Sequence, residues 1–205
     1  KFSKMLKVQI TKWIMKILLK SILCFFIISN YAYAEKFYVG VGYLKSEVDT
    51  YQYPSETYTL YDDEDSGFTL FAGYNVNEYF AIEAAYNDLG DSIATIDTPL
   101  TANREVEVWT LAGVLKYEIL DNLTLLAKGG IARIDNDERL SNGNNYSEET
   151  EELYFGLGAE YSTLSGYAFR FLYEEYGEDD GTTSGQALPD RIDPSAISFS
   201  IIKNF

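Results

Sequence analysis

The chain has 205 residues, enough for one domain, with 18 Tyr and 12 Phe but no His, a single Cys and a formal charge of −16. Without histidine there is no serine–histidine triad, no imidazole general base and no imidazole metal ligand. The acidity disfavours nucleic acid and other polyanionic partners.

From Met15 the sequence MKILLKSILCFFIISNYAYA opens with Lys16 and Lys20, continues as an apolar run from Ser21 to Ile28 and ends on Ala32-Tyr33-Ala34. This is the three-part pattern of a secretory signal, with cleavage expected after Ala34. The apolar run is too short to span as a helix, and the two lysines interrupt the longer window. Residues 1–14 read as an overextended frame upstream of Met15. A lipoprotein anchor at Cys24 is rejected, because Leu23 rather than a small residue precedes it and the apolar run continues past it. Cys24 is then expected to leave with the signal. Losing residues 1–34, which hold six lysines and no acid, takes the formal charge from −16 to −22.

After Ala34 the pattern predicts eight segments of ~10 residues with period-two alternation, the length of a barrel strand crossing a bilayer. The first sets Phe37, Val39, Val41 and Tyr43 against Tyr38, Gly40, Gly42 and Leu44. The second sets Phe68, Leu70, Ala72 and Tyr74 against Gly67, Thr69, Phe71, Gly73 and Asn75. The third and fourth put Phe80, Ile82, Ala84 and Tyr86, then Trp109, Leu111, Gly113, Leu115 and Tyr117, on their apolar faces. The fifth and sixth do so with Leu123, Leu125, Ala127, Gly129 and Ile131, then Leu153, Phe155, Leu157, Ala159 and Tyr161. The seventh alternates Tyr167, Phe169, Phe171 and Tyr173 with Ala168, Arg170, Leu172 and Glu174. The eighth alternates Ile197, Phe199, Ile201, Lys203 and Phe205 with Ser198, Ser200, Ile202 and Asn204.

Short connections at Val76–Tyr79, Glu118–Asn122 and Ser162–Gly166 alternate with long polar ones near 46–66, 88–105, 134–150 and 177–195. That layout predicts an all-β fold, an eight-stranded antiparallel up-and-down transmembrane β-barrel over residues 35–205. Aromatic residues fall at both ends of the apolar face, as two membrane interfaces select. A soluble barrel with the aromatic face inward is the rival. It fails on the other face, where Gly40, Gly42, Gly67, Gly73, Gly130, Gly156 and Gly158 solvate an exterior poorly but suit a narrow lumen.

FAGYNVNEYFAIEAAYNDLG (71–90), LAKGGIAR (126–133), GAEY followed by FRFLY (158–173) and the terminal Phe205 together resemble the outer membrane β-barrel superfamily. The resemblance is to the eight-stranded transmembrane domain of outer membrane protein A type, without a peptidoglycan-binding domain, and it covers residues 35–205. It implies a place in the Gram-negative outer membrane, reached by export through the periplasm and insertion by the barrel-assembly machinery. That machinery would read Phe205, Ile201, Phe199 and Ile197, with Lys203 standing where an aromatic is usual. Lys203 is expected to snorkel its ammonium towards the interface. By the same resemblance Glu83 and Arg170 match an interior carboxylate and arginine, and Glu160 a second carboxylate. The family's lumenal lysine on the fourth strand is replaced by Val114, with either Lys116 or Lys128 as its substitute.

Independently of the family, the inward charges balance, with Glu83, Glu160 and Glu174 against Lys116, Lys128 and Arg170. A closed network is tolerable in a narrow lumen where a lone charge is costly. It reads as a structural plug, with an ion-passing gate as the alternative. No catalytic residue, cofactor or metal ligand can be named, so an enzyme is not expected. The runs Asp62-Asp63-Glu64-Asp65, Glu148-Glu149 with Glu151-Glu152, and Glu178-Asp179-Asp180 lack the spacing of an EF-hand. They read as solvated loops, or as sites where divalent cations bridge to anionic lipopolysaccharide. Tyr51, Tyr53, Tyr58 and Tyr61 read either as a recognition patch or as extensions of the first two strands. The resulting expectation is a non-enzymatic, monomeric structural barrel among outer membrane lipids and lipopolysaccharide. A surface adhesin or resistance protein, and a narrow diffusion pore, are the alternatives.

Overall fold

The computed structural model describes residues 36–51, 58–62, 64–96, 100–177 and 191–205. The expected signal segment with Ala32 and Ala34 lies outside them, as do Asp63 and Glu178-Asp179-Asp180. The strands in chain order are β1 (Phe37–Tyr51), β2 (Tyr58–Asp62), β3 (Glu64–Asn75), β4 (Phe80–Ile96), β5 (Leu100–Leu120), β6 (Leu123–Leu140), β7 (Asn145–Ser162), β8 (Tyr167–Glu175) and β9 (Arg191–Asn204). β3 pairs with the near half of β4 and β2 with its far end, so these two segments share one stave and the barrel has eight. Each stave is antiparallel to its chain neighbour, and β1 pairs with β9 to close the sheet.

Alternation sets the faces. On β5, Leu115 is 61% exposed while Val114 beside it is fully buried. The same phase holds round the barrel, with Phe37, Leu70, Ile82, Leu125, Leu157, Phe171 and Phe199 all exposed and outward. At one rim Phe68, Tyr86 and Trp109 form a run of outward rings, with centroids 5.8 and 4.8 Å apart. At the other rim Phe37 lies against Tyr74 at 4.9 Å. Inward glycines are required by crowding: a Cβ on Gly40 would strike the Phe71 ring, and one on Gly73 the Tyr38 ring.

Several strands are longer than a bilayer crossing needs, which corrects the expected ~10 residues and the expected long polar connections. β5 has 21 residues, and β6 and β7 have 18 each. Most of 88–105 and 134–150 is therefore barrel wall rather than loop. At ~3.4 Å per residue β5 runs about 70 Å along its length, against an apolar band about 25 Å tall on a transmembrane barrel. Above Trp109, Ile131 and Leu153 the outward residues turn charged, with Glu107, Arg133 and Glu151 next in line. The inward face turns apolar at the same level: Leu44, Val48, Leu89, Val106, Val108, Ile134, Tyr176 and Ile192 form one buried cluster. Within the membrane band the barrel is apolar outside; above it, the polarity is that of a soluble barrel.

β4 passes this boundary through a bulge between Asp88 and Asp91, where Gly90 takes a φ of 84° that a side chain would resist. The Asp65 carboxylate accepts the Asp91 N–H at 2.6 Å, and Asp88 accepts the Gly90 N–H at 3.0 Å. The acid run 148–152 is strand β7, and Tyr51, Tyr58 and Tyr61 lie in β1 and β2. Tyr53 is outside the described residues.

Because the projecting wall has its own apolar core, Ile134→Ala should destabilise the refolded barrel by about 2–5 kcal/mol. Urea unfolding in lipid vesicles measures this, with the midpoint falling at unchanged slope.

Candidate functional site

Charged side chains of four staves meet in the lumen. Arg170 of β8 stands directly opposite Glu160 of β7 in the ladder. Its Nε and Nη2 donate to Glu160 Oε2 at 3.1 and 2.9 Å, and its Nη1 donates to Glu83 Oε2 at 2.6 Å. The guanidinium also lies 4.8 Å from the Phe71 ring centre and 5.5 Å from that of Tyr38. Such stacking suits a flat, weakly hydrated cation better than it would an ammonium. Arg170 is 1% exposed, so nothing but these partners replaces its lost hydration.

Glu83 of β4 joins the two halves of the network. Its Oε2 accepts from Arg170 and from the Tyr38 hydroxyl at 2.7 Å, while Lys128 Nζ sits 2.9 Å from Oε1 as an ion pair outside hydrogen-bond geometry. Lys128 also donates to Glu174 Oε1 at 2.6 Å. Lys128, Gly156 and Glu174 lie in one row across β6, β7 and β8. A Cβ on Gly156 would come within 2.9 Å of Glu174 Cγ, so the glycine keeps the path between lysine and glutamate open. Tyr176 donates to the other oxygen of Glu174 at 3.4 Å, and Lys128 lies 5.7 Å over the Tyr154 ring.

The lysine question resolves in favour of Lys128. Its ladder partner on β5 is Val114, so this cation lies one strand round the barrel from Val114 at the same level. Lys116 stands apart. Its ammonium donates to Asn75 Oδ1 at 2.7 Å and lies 5.0 Å over the Tyr38 ring, and among the described residues it makes no ion pair. The reason is depth: Lys116 is near the short-turn end of β5, one inward position beyond Val114. Lys203 reaches towards the short-turn rim. Its ammonium is 3.5 Å from the Ser165 carbonyl and 4.5 Å over Tyr167, anchored to the turn between β8 and its neighbour. Phe199 and Ile201 face outward and are exposed, and Phe205 follows the end of β9.

Apolar clusters lie on both sides of the charges. Tyr38, Phe71, Ala81, Ala85, Val114, Leu126, Ala168 and Ile202 form one, which reaches from the short-turn side to just past the level of Glu83, and the core of the projecting wall forms the other. Sequence reasoning missed the tyrosines: Tyr38, Tyr154 and Tyr176 are inward rings that finish the hydrogen bonding or stack on the cations. Their signal was an aromatic side chain on the small-residue face. Outside the barrel, Arg133 bridges to Glu149 and Asp135, and Arg139 pairs with Glu105 at 3.1 Å. Among the described residues no carboxylates gather in a metal-holding group.

Arg170→Ala would leave Glu83 and Glu160 without their shared cation and should destabilise the barrel by about 3–5 kcal/mol. Removing all three charges together, as Arg170→Met with Glu83→Gln and Glu160→Gln, should recover most of that loss. Urea titration of the wild type and the two variants measures the coupling.

Residues 21–201 match the family model of the outer membrane protein beta-barrel domain. No curated protein matches the sequence. Among solved structures, the barrel is similar to Ail, the attachment invasion locus protein of Yersinia pestis, solved with the heparin analogue sucrose octasulfate. The identity is 15% over 83% of this chain and 98% of that one, with a TM-score of 0.54. It is similar to the outer membrane protein OprG of Pseudomonas aeruginosa, at 12% identity over 84% of this chain and 96% of that one, with a TM-score of 0.56. Neisserial surface protein A gives 11% identity over 82% and 97%, with a TM-score of 0.56. At these identities the structural likeness establishes the fold, while the family model spans most of the sequence: the chain belongs to the outer membrane protein beta-barrel domain family.

Proposed function

We propose that this protein is a closed, non-enzymatic barrel that contributes to the integrity of the Gram-negative outer membrane and does not conduct ions. The observation that carries the reading is the sealed interior. A charge network with its cations held by two carboxylates each sits between two apolar clusters. For an ion to pass, Arg170 or Lys128 would have to leave its two carboxylates and expose an unpaired charge inside the wall. An eight-stranded barrel is just wide enough for its own side chains. In this reading the barrel is exported through the periplasm, inserted by the barrel-assembly machinery and held as a monomer among phospholipid and lipopolysaccharide.

A second reading, a surface adhesin or resistance protein, has its own support in the rigid wall of β5, β6 and β7 that rises above the aromatic rim. Ail was solved with a heparin analogue. A polyanion of that kind fits this wall poorly, because Glu105, Glu107, Asp135, Asp137, Glu149 and Glu151 outnumber Arg133 and Arg139 on or beside its outer face. Divalent cations bridging these acids to lipopolysaccharide would serve either role.

Purified barrel in planar bilayers should give negligible conductance. Large steady currents abolished by Arg170→Ala would establish a pore instead. A deletion strain should gain sensitivity to detergents and bulky antibiotics, restored by the wild type and by a variant with the 136–148 hairpin shortened. Loss of surface binding confined to the shortened variant would favour the adhesin.

A further inference from the structure

At the crest of the projecting wall β6 turns into β7 through Ser141-Asn142-Gly143-Asn144, and each of these residues is exposed. The turn is held on both flanks. The Leu140 N–H donates to the Asn144 carbonyl at 2.9 Å, and the Ser141 N–H donates to the Thr101 carbonyl of β5 at 2.8 Å. The Ser141 hydroxyl oxygen in turn accepts the Thr101 N–H at 3.1 Å. The chain reverses at Gly143, whose φ of 92° a side chain would resist. Asn142 is the one asparagine in the sequence that precedes a glycine.

The side-chain amide carbon of an asparagine is an electrophile within reach of the next residue's backbone nitrogen. The Cβ of that next residue ordinarily hinders the approach. Gly143 has none, and the place a Cβ would take is open, with nothing within 4 Å. Asn142 Oδ1 already accepts the Asn144 N–H at 3.0 Å. That donor stands where negative charge gathers when Cγ becomes tetrahedral. Exposure brings hydroxide and water to the turn. One contact opposes the attack: the Gly143 N–H donates to the Leu140 carbonyl at 2.9 Å and must let go first. A single exposed bond of this kind slows the reaction by roughly tenfold and does not forbid it. No other asparagine of the described residues combines these features. Asn87 and Asn136 are buried, and Asn103, Asn144 and Asn145 precede residues with side chains.

We propose that Asn142 and Gly143 form a site of spontaneous deamidation at the crest of the wall. The Gly143 nitrogen gives its proton to solvent hydroxide and bonds to Asn142 Cγ. The Cγ–Nδ2 bond breaks, and the nitrogen leaves as ammonia after taking up a proton, so a cyclic imide remains. Water then opens the imide, its hydroxyl staying on a carbonyl carbon and its proton passing to the Gly143 nitrogen. Opening at Cγ gives aspartate at 142. Opening at the backbone carbonyl carbon gives isoaspartate, with the main chain running through Cγ. Water is consumed, ammonia is released, and nothing is oxidised or reduced. Both products add a carboxylate to an already acidic wall. Aspartate keeps the turn, because its oxygen still accepts the Asn144 N–H. Isoaspartate adds a backbone atom between Leu140 and Asn144 and strains their pairing. The chemistry is independent of the closed-barrel reading, which stands or falls on conductance.

The test incubates the full barrel, refolded in lipid vesicles, in mildly alkaline buffer. Samples are digested with pepsin at low pH, which stops the reaction, and the peptide holding residue 142 is weighed. In ordinary water that peptide should become about 1 Da heavier, sooner than any other asparagine peptide of the barrel. In water enriched in the heavy oxygen isotope it should also take up one labelled oxygen, and isoaspartyl methyltransferase should label part of the product. Asn142→Gln and Asn142→Ser should each abolish all three signals at this peptide. A free peptide of residues 139–146 serves as the clock. No change at Asn142 in the folded barrel while the free peptide converts completely overturns the proposal. Conversion that begins only after unfolding in urea also overturns it, as does earlier conversion of another asparagine. Heat-modifiable migration on gels confirms that the incubated barrel and both variants are folded.

Discussion

In hydrocarbon a backbone N–H without a carbonyl costs several kcal/mol, so the ladder between β1 and β9 is the contact on which the rest of this structure depends. With that seam closed there is no edge, and the outer face is free to be wholly apolar. Closure at eight staves also fixes the size of the lumen. Every inward side chain must then fit among its neighbours, which is why glycine faces Phe71, Tyr38 and Glu174, and why any charge placed inside must find its counter-charge within the wall.

The interior network satisfies that demand through shared partners. Glu83 takes both Arg170 and Lys128, Arg170 takes both Glu83 and Glu160, and Lys128 takes both Glu83 and Glu174. No member can be removed without exposing another, so the pairs behave as one unit. Tyrosines occupy the remaining directions, donating to carboxylates through the hydroxyl and presenting ring faces to the cations. Above this level the wall reverses polarity, and an ordinary apolar core takes over the task of holding the staves together.

Much of this was legible in the sequence, and the reasons are particular. Period-two alternation places Val114 in and Leu115 out without ambiguity, because one face must meet lipid. Glu83 and Arg170 are legible because both fall on the inward face, where the charges balance, and because they match the interior pair that the family resemblance implies. Strand length was not legible. Where the outward residues become Glu105, Glu107, Asp135 and Asp137, the alternation is between valine or isoleucine and acid, and its polar half resembles a loop. The partner of Lys116 was also hidden, since sequence spacing assigns a side chain to a face but not to a depth. Tyr38 escaped notice because a tyrosine on a glycine-rich face resembles filler until its hydroxyl has an address.

The row of Lys128, Gly156 and Glu174 and the opposition of Glu160 to Arg170 have a consequence for how the chain chooses among its own near-solutions. Sliding β8 by one residue along β7 would turn its apolar face inward, which lipid forbids. Sliding it by two would keep every side chain on its proper face, so hydrophobicity alone cannot object. The charges can: after such a slip Arg170 would meet Gly158 or Ser162 instead of Glu160, and Glu174 would no longer share a row with Lys128. The buried ions therefore act as a vernier on the sheet, distinguishing alignments that its apolar pattern leaves equivalent.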